Sequence, residues 1–307
     1  MITLKANNPR RAVIAFACAN LLNGAALTVA MSQEGGAMAP RPERACPATG
    51  YAEPDYTYAG RNVDGPAPAE TASPCIPQIV FDVGDAIGMT RSTGGMLTIK
   101  NVIALRFIAN GEFAVSGTKM EKVEGVEFQG SYYLPAARLM IPRPEGKSDI
   151  RVFNDQLAWN ETAEGVGATP AAKGSARERL IMLKLTPSGA LWSAIEAEAH
   201  VKVSQVGGKT QLAGVSPYDG LNVAITLDAD KRPATVTIKD GKTVYGATFA
   251  NYHGTLDLTK IDWEPNEEIV FPGEITWTKN GKPWAAFHVT GYFSNPYVVF
   301  PAPASIK

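Results

Sequence analysis

Short runs in which apolar and polar residues alternate dominate the chain from residue 97 to residue 293, and they predict β-strands. Residue pairs typical of tight hairpins separate some of these runs: Asn110-Gly111, Asp240-Gly241 and Asn280-Gly281. Because such turns join antiparallel neighbours, the pattern predicts one antiparallel meander. The predicted strands are Leu97–Ala109, Phe113–Lys122, Val126–Ile141, Ile150–Phe153, Leu157–Trp159, Val201–Val206, Thr210–Leu212, Leu221–Leu227, Ala234–Ile238, Val244–Tyr252, Ile269–Thr278 and Pro283–Phe293.

Two stretches have helical spacing instead. Apolar residues recur every three to four positions in Ile79–Arg91, which predicts a short helix before the strands. The segment Ala176–His200 breaks the strand pattern, and Thr186-Pro187 within it predicts the start of a second helix. Because a sheet of this length tends to curl, we expect a mainly β (α+β) fold. It comprises a large curved antiparallel sheet, or half-barrel, with an N-terminal helix and a mid-chain helical lid.

The N-terminus has the layout of a secretory signal. Lys5, Arg10 and Arg11 precede an apolar run over residues 12–30, and small residues follow it. This order predicts a signal peptide over residues 1–32, cleavage, and a periplasmic or secreted protein. A retained membrane anchor is the alternative, although polar residues interrupt the run. The export route stays open.

Residues 33–78 form a segment rich in Pro, Ala and Gly with no apolar period. Cys46 and Cys75 lie in it, and in an oxidising compartment two such cysteines usually bond. A disulfide between them closes a loop worth roughly 3 kcal/mol in the chain-entropy description. The remaining residues, 79–307, predict a single domain.

The amino-acid composition reduces the number of functions that need to be considered. Twenty-nine basic and thirty acidic residues balance each other, which argues against nucleic acid as a partner. Three histidines and three cysteines are scattered, so the sequence predicts no metal site and no cofactor. It contains no nucleophile elbow, zinc-protease motif or phosphate-binding loop. Catalytic residues stay unknown, and these observations favour a non-enzymatic protein while leaving an enzyme open.

The order of elements resembles the LolA/LppX type of periplasmic lipoprotein carrier. The local likeness lies in Ile150–Asn160, a strand-turn-strand that carries Trp159, and in the helix pair over Arg177–Ala199. The resemblance implies a half-barrel with lid helices. The chain also resembles an uncharacterised family of exported bacterial proteins, which implies compartment and fold but no reaction. Its shared pieces are Ala86–Arg91, Ala158–Thr162, Ala168–Ala171, Glu178–Leu180 and Asn295–Pro301.

These observations predict a periplasmic binding or carrier module that holds a lipid, acyl chain or lipoprotein in an apolar cavity of the half-barrel. The expected partners are an apolar small molecule or lipid, or a lipoprotein or envelope protein, and we expect no membrane span in the mature chain. An exported hydrolase for an ester or glycan, and a cell-envelope scaffold, are the alternatives. The predicted ligand-lining residues are Trp159, Leu183, Leu191, Trp192, Ile195, Trp277, Trp284, Phe287 and Tyr292.

Overall fold

The computed structural model describes residues 76–89, 102–116, 119–197, 200–254 and 269–306. The helices in these ranges are α1 Gln78–Ala86, α2 Ser175–Lys184 and α3 Pro187–Ala197. The strands are β1 Ala104–Ser116, β2 Lys119–Ser131, β3 Ala136–Pro142, β4 Ser148–Asn154, β5 Leu157–Glu161, β6 Thr169–Pro170, β7 Lys202–Val206, β8 Lys209–Val215, β9 Asn222–Leu227, β10 Pro233–Asp240, β11 Thr243–Gly254, β12 Val270–Lys279 and β13 Lys282–Ser294.

All these strands belong to one antiparallel sheet. Strands β1 to β6 follow one another outward from its middle, and β7 to β13 return from the opposite edge, so that β13 pairs with β1. The outermost strands are therefore β6 and β7, and the chain between them contains α2 and α3. The sheet is open, which confirms the predicted mainly β fold with a helix before the sheet and a helical insertion in mid-chain.

The sheet curves around the two inserted helices. Helix α2 packs on β3, β4 and β5, whereas α3 packs on β8, β9 and β10. In a flat sheet β4 and β9 are eight strand spacings apart, about 38 Å at ~4.8 Å per spacing. The two helices nevertheless also pack on each other. They therefore lie on the concave face.

The main hydrophobic core fills this concave face. It combines apolar residues of all three helices with inward-facing residues of the strands. Aromatic rings dominate its centre, and Phe107, Phe113 and Phe128 are among the largest fully buried side chains of the described residues. Burying this apolar surface is the main favourable contribution to folding.

A second, smaller core lies on the outer face of the sheet. Ile150 and Val152 of β4 pack there with Trp159 of β5 and with Phe300, which follows β13. We call residues 295–306 the C-terminal tail. It packs against this core, and the Nδ2 of Asn154 donates a hydrogen bond of 2.8 Å to the carbonyl oxygen of Phe300.

The sequence was misleading at two turns. Asn110-Gly111 lies inside β1 and is not a hairpin turn. A Cβ on Gly111 would lie 1.9 Å from the carbonyl oxygen of Ala286, so glycine here allows β1 to approach β13 closely. Strand β1 instead continues to Ser116, which pairs with Lys119 of β2. The predicted strand Val126–Ile141 is likewise interrupted, by a turn at 132–135 between β2 and β3.

Other expectations are confirmed. Asn280-Gly281 forms a two-residue turn with φ values of 52° and 74°, and Ala176–His200 contains two helices that meet at Thr186-Pro187. The signal peptide, nearly all of the segment 33–78 and the Cys46–Cys75 disulfide fall outside the described residues and stay predictions. No helix in the described ranges is both long enough and apolar enough to cross a bilayer.

Candidate functional site

Helices α2 and α3, with the two residues that join them, form the lid (residues 175–197) over the concave face. Thr186 caps α3, since its Oγ1 accepts a hydrogen bond of 3.1 Å from the backbone N–H of Gly189. A Cβ on Gly189 would lie 2.1 Å from the carbonyl oxygen of Leu183, so only glycine lets α3 begin this close to the end of α2. Thr186 and Gly189 therefore specify the tight turn between the two lid helices.

Aromatic side chains of the sheet form one side of the interior. Trp277 is fully buried, and its ring centroid lies 5.4 Å from that of Phe287 and 5.9 Å from that of Trp284. Tyr292 stacks on Phe271 at 4.1 Å. The four sheet residues predicted to line a cavity therefore do belong to one aromatic cluster on the concave face.

Apolar side chains of the lid form the facing side of the interior. Leu183, Leu191, Trp192 and Ile195 are all buried in the same core as the sheet aromatics. The Nε1 of Trp192 donates a hydrogen bond of 2.8 Å to the carbonyl oxygen of Val102, just before β1. This contact fixes α3 to one end of the sheet.

Tyr132, the first residue after β2, contacts the lid near the same end of the sheet. Its ring stacks on Trp192 at 6.1 Å between centroids, and its hydroxyl is 2.8 Å from the Oγ1 of Thr186. Burial raises the pKa of Tyr132 well above its usual value, so the hydroxyl stays protonated near neutral pH. Tyr132 therefore couples the lid turn to the sheet.

Replacing Thr186 by Val is expected to lower the free energy of unfolding by about 1–2 kcal/mol, because the cap of α3 and the contact with Tyr132 are both lost. Urea denaturation followed by circular dichroism measures the change. Thr186→Ser is the matched control, since it keeps the hydroxyl group. Equal losses in Thr186→Val and Thr186→Ser would contradict this account of the hydroxyl.

Trp159 lies apart from the other eight predicted lining residues. It packs in the second core on the outer face, and its Nε1 donates a hydrogen bond of 2.8 Å to the Oε1 of Glu161. Adjacent residues of β4, Val152 and Phe153, are both buried but on opposite faces. The sequence pattern therefore gave no sign of which face Trp159 occupies.

The interior is closely packed where the described residues enclose it. A shallow crevice between α3 and strands β8 and β9 has no room even for a water molecule, whereas pockets that bind small molecules usually measure ~300–1,000 Å³. The crevice is lined by Ser193, Ala194, Leu212, Ala213, Gly214, Val223 and Ile225.

Ion pairs connect the first turn of the lid to the C-terminal half of the sheet. Arg177 lies 3.1 Å from Asp240, the last residue of β10, and Lys279 of β12 lies 2.6 Å from Glu178. Burial opposes the charge of Lys279, but its hydrogen bond and charge interaction with Glu178 raise its pKa overall. These four side chains are about one-third exposed.

Arg179 connects the same helix to the N-terminal half. Its NH1 group donates hydrogen bonds of 2.6 Å to the carbonyl oxygens of both Val152 and Trp159, and its NH2 group donates to the Oδ1 of Asn160. Burial, reinforced by the positive charge of Arg151, lowers the pKa of Arg179 to about 10. Arg179 is therefore still charged at neutral pH, and α2 is fixed to strands on both sides of the concave face.

A buried charge cluster holds the two lid helices together. The Nζ of Lys184 in α2 is 2.7 Å from Glu196 in α3 and 3.7 Å from Asp219 in the loop after β8. The Oγ of Ser216, in the same loop, donates a hydrogen bond of 2.9 Å to Glu196. Sequence reasoning missed this cluster, although Lys184 is the only charge in the otherwise apolar run 180–185.

The three histidines are exposed and are not gathered into a pocket. His253 is opposite Phe271 in the pairing of β11 with β12, whereas His288 is opposite Glu274 in the pairing of β12 with β13. Among the described residues, no three His, Cys, Asp or Glu side chains are arranged to hold a metal ion.

Comparison with known proteins adds no identification. No family model matches the chain, and no curated protein matches it either. The resemblance to LolA/LppX-type carriers and to the exported bacterial family therefore stays a prediction.

Proposed function

We propose that this protein is an exported, non-enzymatic carrier that binds a lipid or an acyl chain, including one attached to a lipoprotein, beneath the lid. One observation carries the proposal: two short helices, rather than a second sheet, cover the aromatic concave face of a large open sheet. Such an arrangement encloses a continuous apolar interior whose cover is small enough to move. The periplasm is the compartment that the predicted signal peptide implies.

Ligand entry requires the lid to move, because its own side chains occupy the interior. Leu183, Leu191 and Trp192 pack where an acyl chain would contact the sheet aromatics. In this proposal the described conformation is the one in which the lid is closed. A ligand that covers the same sheet surface after the lid has moved away replaces the lost apolar contacts, which shifts the equilibrium toward an open state.

The ion pairs at the first turn of the lid are weak enough to break during such movement. The ion pairs of Arg177 and Glu178 are partly exposed, and exposed pairs contribute only ~0.2–1 kcal/mol each. The connection from β5 to α2 contains Gly165, Gly167 and Gly174, each with positive φ. Glycine adopts positive φ values readily, whereas other residues rarely do.

The first test is native mass spectrometry of the mature protein purified from the periplasm, followed by organic extraction. We expect a fraction of molecules to carry the mass of one lipid or acyl species, and we expect delipidated protein to bind added oleic acid or phosphatidylethanolamine. If the protein is empty as purified and binds neither added compound, the proposal is wrong.

A pair of variants tests the role of the lid. Combining Arg177→Ala with Lys279→Ala removes both ion pairs of the first lid turn, so the closed state loses stability and the affinity for oleic acid should rise about tenfold. Arg143→Ala is the control, because its pair with Glu121, at 3.0 Å, does not involve the lid. Unchanged affinity in the double variant, or an equal rise in Arg143→Ala, would contradict a moving lid.

A further inference from the structure

One end of the sheet exposes an unusual group of large apolar side chains, which we call the apolar rim. It comprises Ile103 before β1, Leu134 in the turn between β2 and β3, Leu157 at the start of β5, and Tyr297 in the C-terminal tail. Their exposed fractions are 44%, 57%, 36% and 93%, respectively. Tyr133, next to Leu134, is 41% exposed.

Backbone contacts place these segments at the same end of the sheet. The N–H of Tyr132 donates to the carbonyl oxygen of Ile103 at 2.8 Å, and the N–H of Asp155 donates to that of Pro135 at 3.0 Å. Asn295 connects the tail to β1, since its Oδ1 accepts a hydrogen bond of 2.8 Å from the N–H of Ile103. The rim is therefore one surface built from four separate parts of the chain.

The rim is almost uncharged. The segments 102–105, 130–137 and 293–306 contain no Asp, Glu, Lys, Arg or His, and Asp155 is the one charged residue in the turn between β4 and β5. Charged turns lie elsewhere on the sheet. At the same end as the rim, but between β9 and β10, the turn at 228–232 carries Asp228, Asp230, Lys231 and Arg232, and at the opposite end the turn between β3 and β4 carries Arg143, Glu145 and Lys147.

The rim also lies beside the contacts that hold the lid. Val102 accepts the hydrogen bond from Trp192 and precedes Ile103 directly, and Tyr132 stacks on Trp192 only two residues before Leu134. A surface bound at the rim would therefore be next to the place where the lid turn meets the sheet.

We propose that the apolar rim docks the protein onto the surface of a zwitterionic lipid bilayer, where the lid opens to exchange ligand; this inference rests on the proposed carrier function. Exposed aliphatic side chains together with tyrosines suit the boundary between headgroups and acyl chains. Anionic lipids attract cationic side chains, and the rim segments contain none. We therefore expect the rim to bind bilayers with neutral headgroups. Large exposed apolar patches mark interaction sites generally.

Vesicle flotation with the mature full-length protein tests the inference. We expect binding to vesicles of phosphatidylcholine and phosphatidylethanolamine that does not weaken at high salt and does not need anionic lipid. Leu134→Glu should reduce binding at least tenfold, because it places a charge where an apolar side chain enters the bilayer. Val203→Glu is the matched control, since Val203 is 49% exposed but lies on the edge strand β7, away from the rim.

The outcomes separate the two proposals. Equal binding by Leu134→Glu and Val203→Glu, binding that requires anionic lipid, or no binding at all would overturn docking at the rim. Dimerisation that Leu134→Glu abolishes, without vesicle binding, would overturn it in favour of a protein interface. A protein that carries lipid in mass spectrometry but does not bind vesicles keeps the carrier function and loses docking at the rim. A protein that binds vesicles through the rim but carries no lipid keeps the docking and loses the carrier function, and the exchange of ligand with it.

Discussion

Replacing Lys184 by Met is expected to lower the free energy of unfolding by about 3–5 kcal/mol, the usual effect of breaking a buried ion pair. The Lys184 side chain is only 4% exposed, and its Nζ lies between the carboxylates of Glu196 and Asp219. Without the lysine, two carboxylates remain in a poorly solvated site with no cation between them. Chemical denaturation monitored by circular dichroism provides the measurement.

The double variant Lys184→Met with Glu196→Gln is the control. It removes one of the two unpaired charges, while the amide still accepts the hydrogen bond that Ser216 donates. We therefore expect it to recover part of the lost stability, as a double-mutant cycle requires for residues that interact. If the double variant is as unstable as Lys184→Met or less stable, the loss does not come from unpaired charge.

Replacing Trp277 by Ala is expected to lower the free energy of unfolding by about 3–5 kcal/mol, because it removes a fully buried indole ring from the interior. The Trp277 ring contacts those of Phe128, Trp284 and Phe287, and its Nε1 donates a hydrogen bond of 3.2 Å to the carbonyl oxygen of Leu185. The substitution therefore creates a cavity below the lid turn and also removes one contact that holds it.

Two controls separate these effects. Trp277→Phe keeps most of the ring volume and loses the N–H group, so a smaller loss of about 1–2 kcal/mol is expected. Added indole should restore part of the stability of Trp277→Ala, since an apolar cavity binds a small aromatic molecule. A variant that indole does not stabilise would show that the interior collapses around the missing ring, which would count against a space able to admit ligands.

The turns show how far a sequence pattern specifies the fold. Asn280-Gly281 and Asn110-Gly111 carry the same hairpin signal, but only the first is a turn. At the second, the close approach of Ala286 from β13 explains the glycine. Because β13 is far away in the sequence, local pattern alone does not distinguish these two cases. The helix pair was predicted correctly, since Thr186-Pro187 is a local signal with a local effect.

The same distinction applies to the candidate site. Eight of the nine predicted lining residues share one core because periodic apolar positions on strands and lid helices face the same interior. Trp159 does not, since the neighbouring strand β4 is buried on both faces and Phe300 of the C-terminal tail covers its outer face. The buried partners of Lys184 were also missed, because Asp219 approaches from a loop of the other half of the sheet.

The pairing of β1 with β13 has a consequence for how the chain folds. Leu105 is opposite Ser294, so the middle of the sheet joins the first and last described strands. During synthesis from the N-terminus, β1 to β6 and both lid helices emerge before β13 exists, and the edge of β1 stays unpaired until then. Contacts between such distant segments slow folding and leave apolar surface open to aggregation. We therefore expect a chain truncated before β13 to aggregate rather than to form half of the sheet.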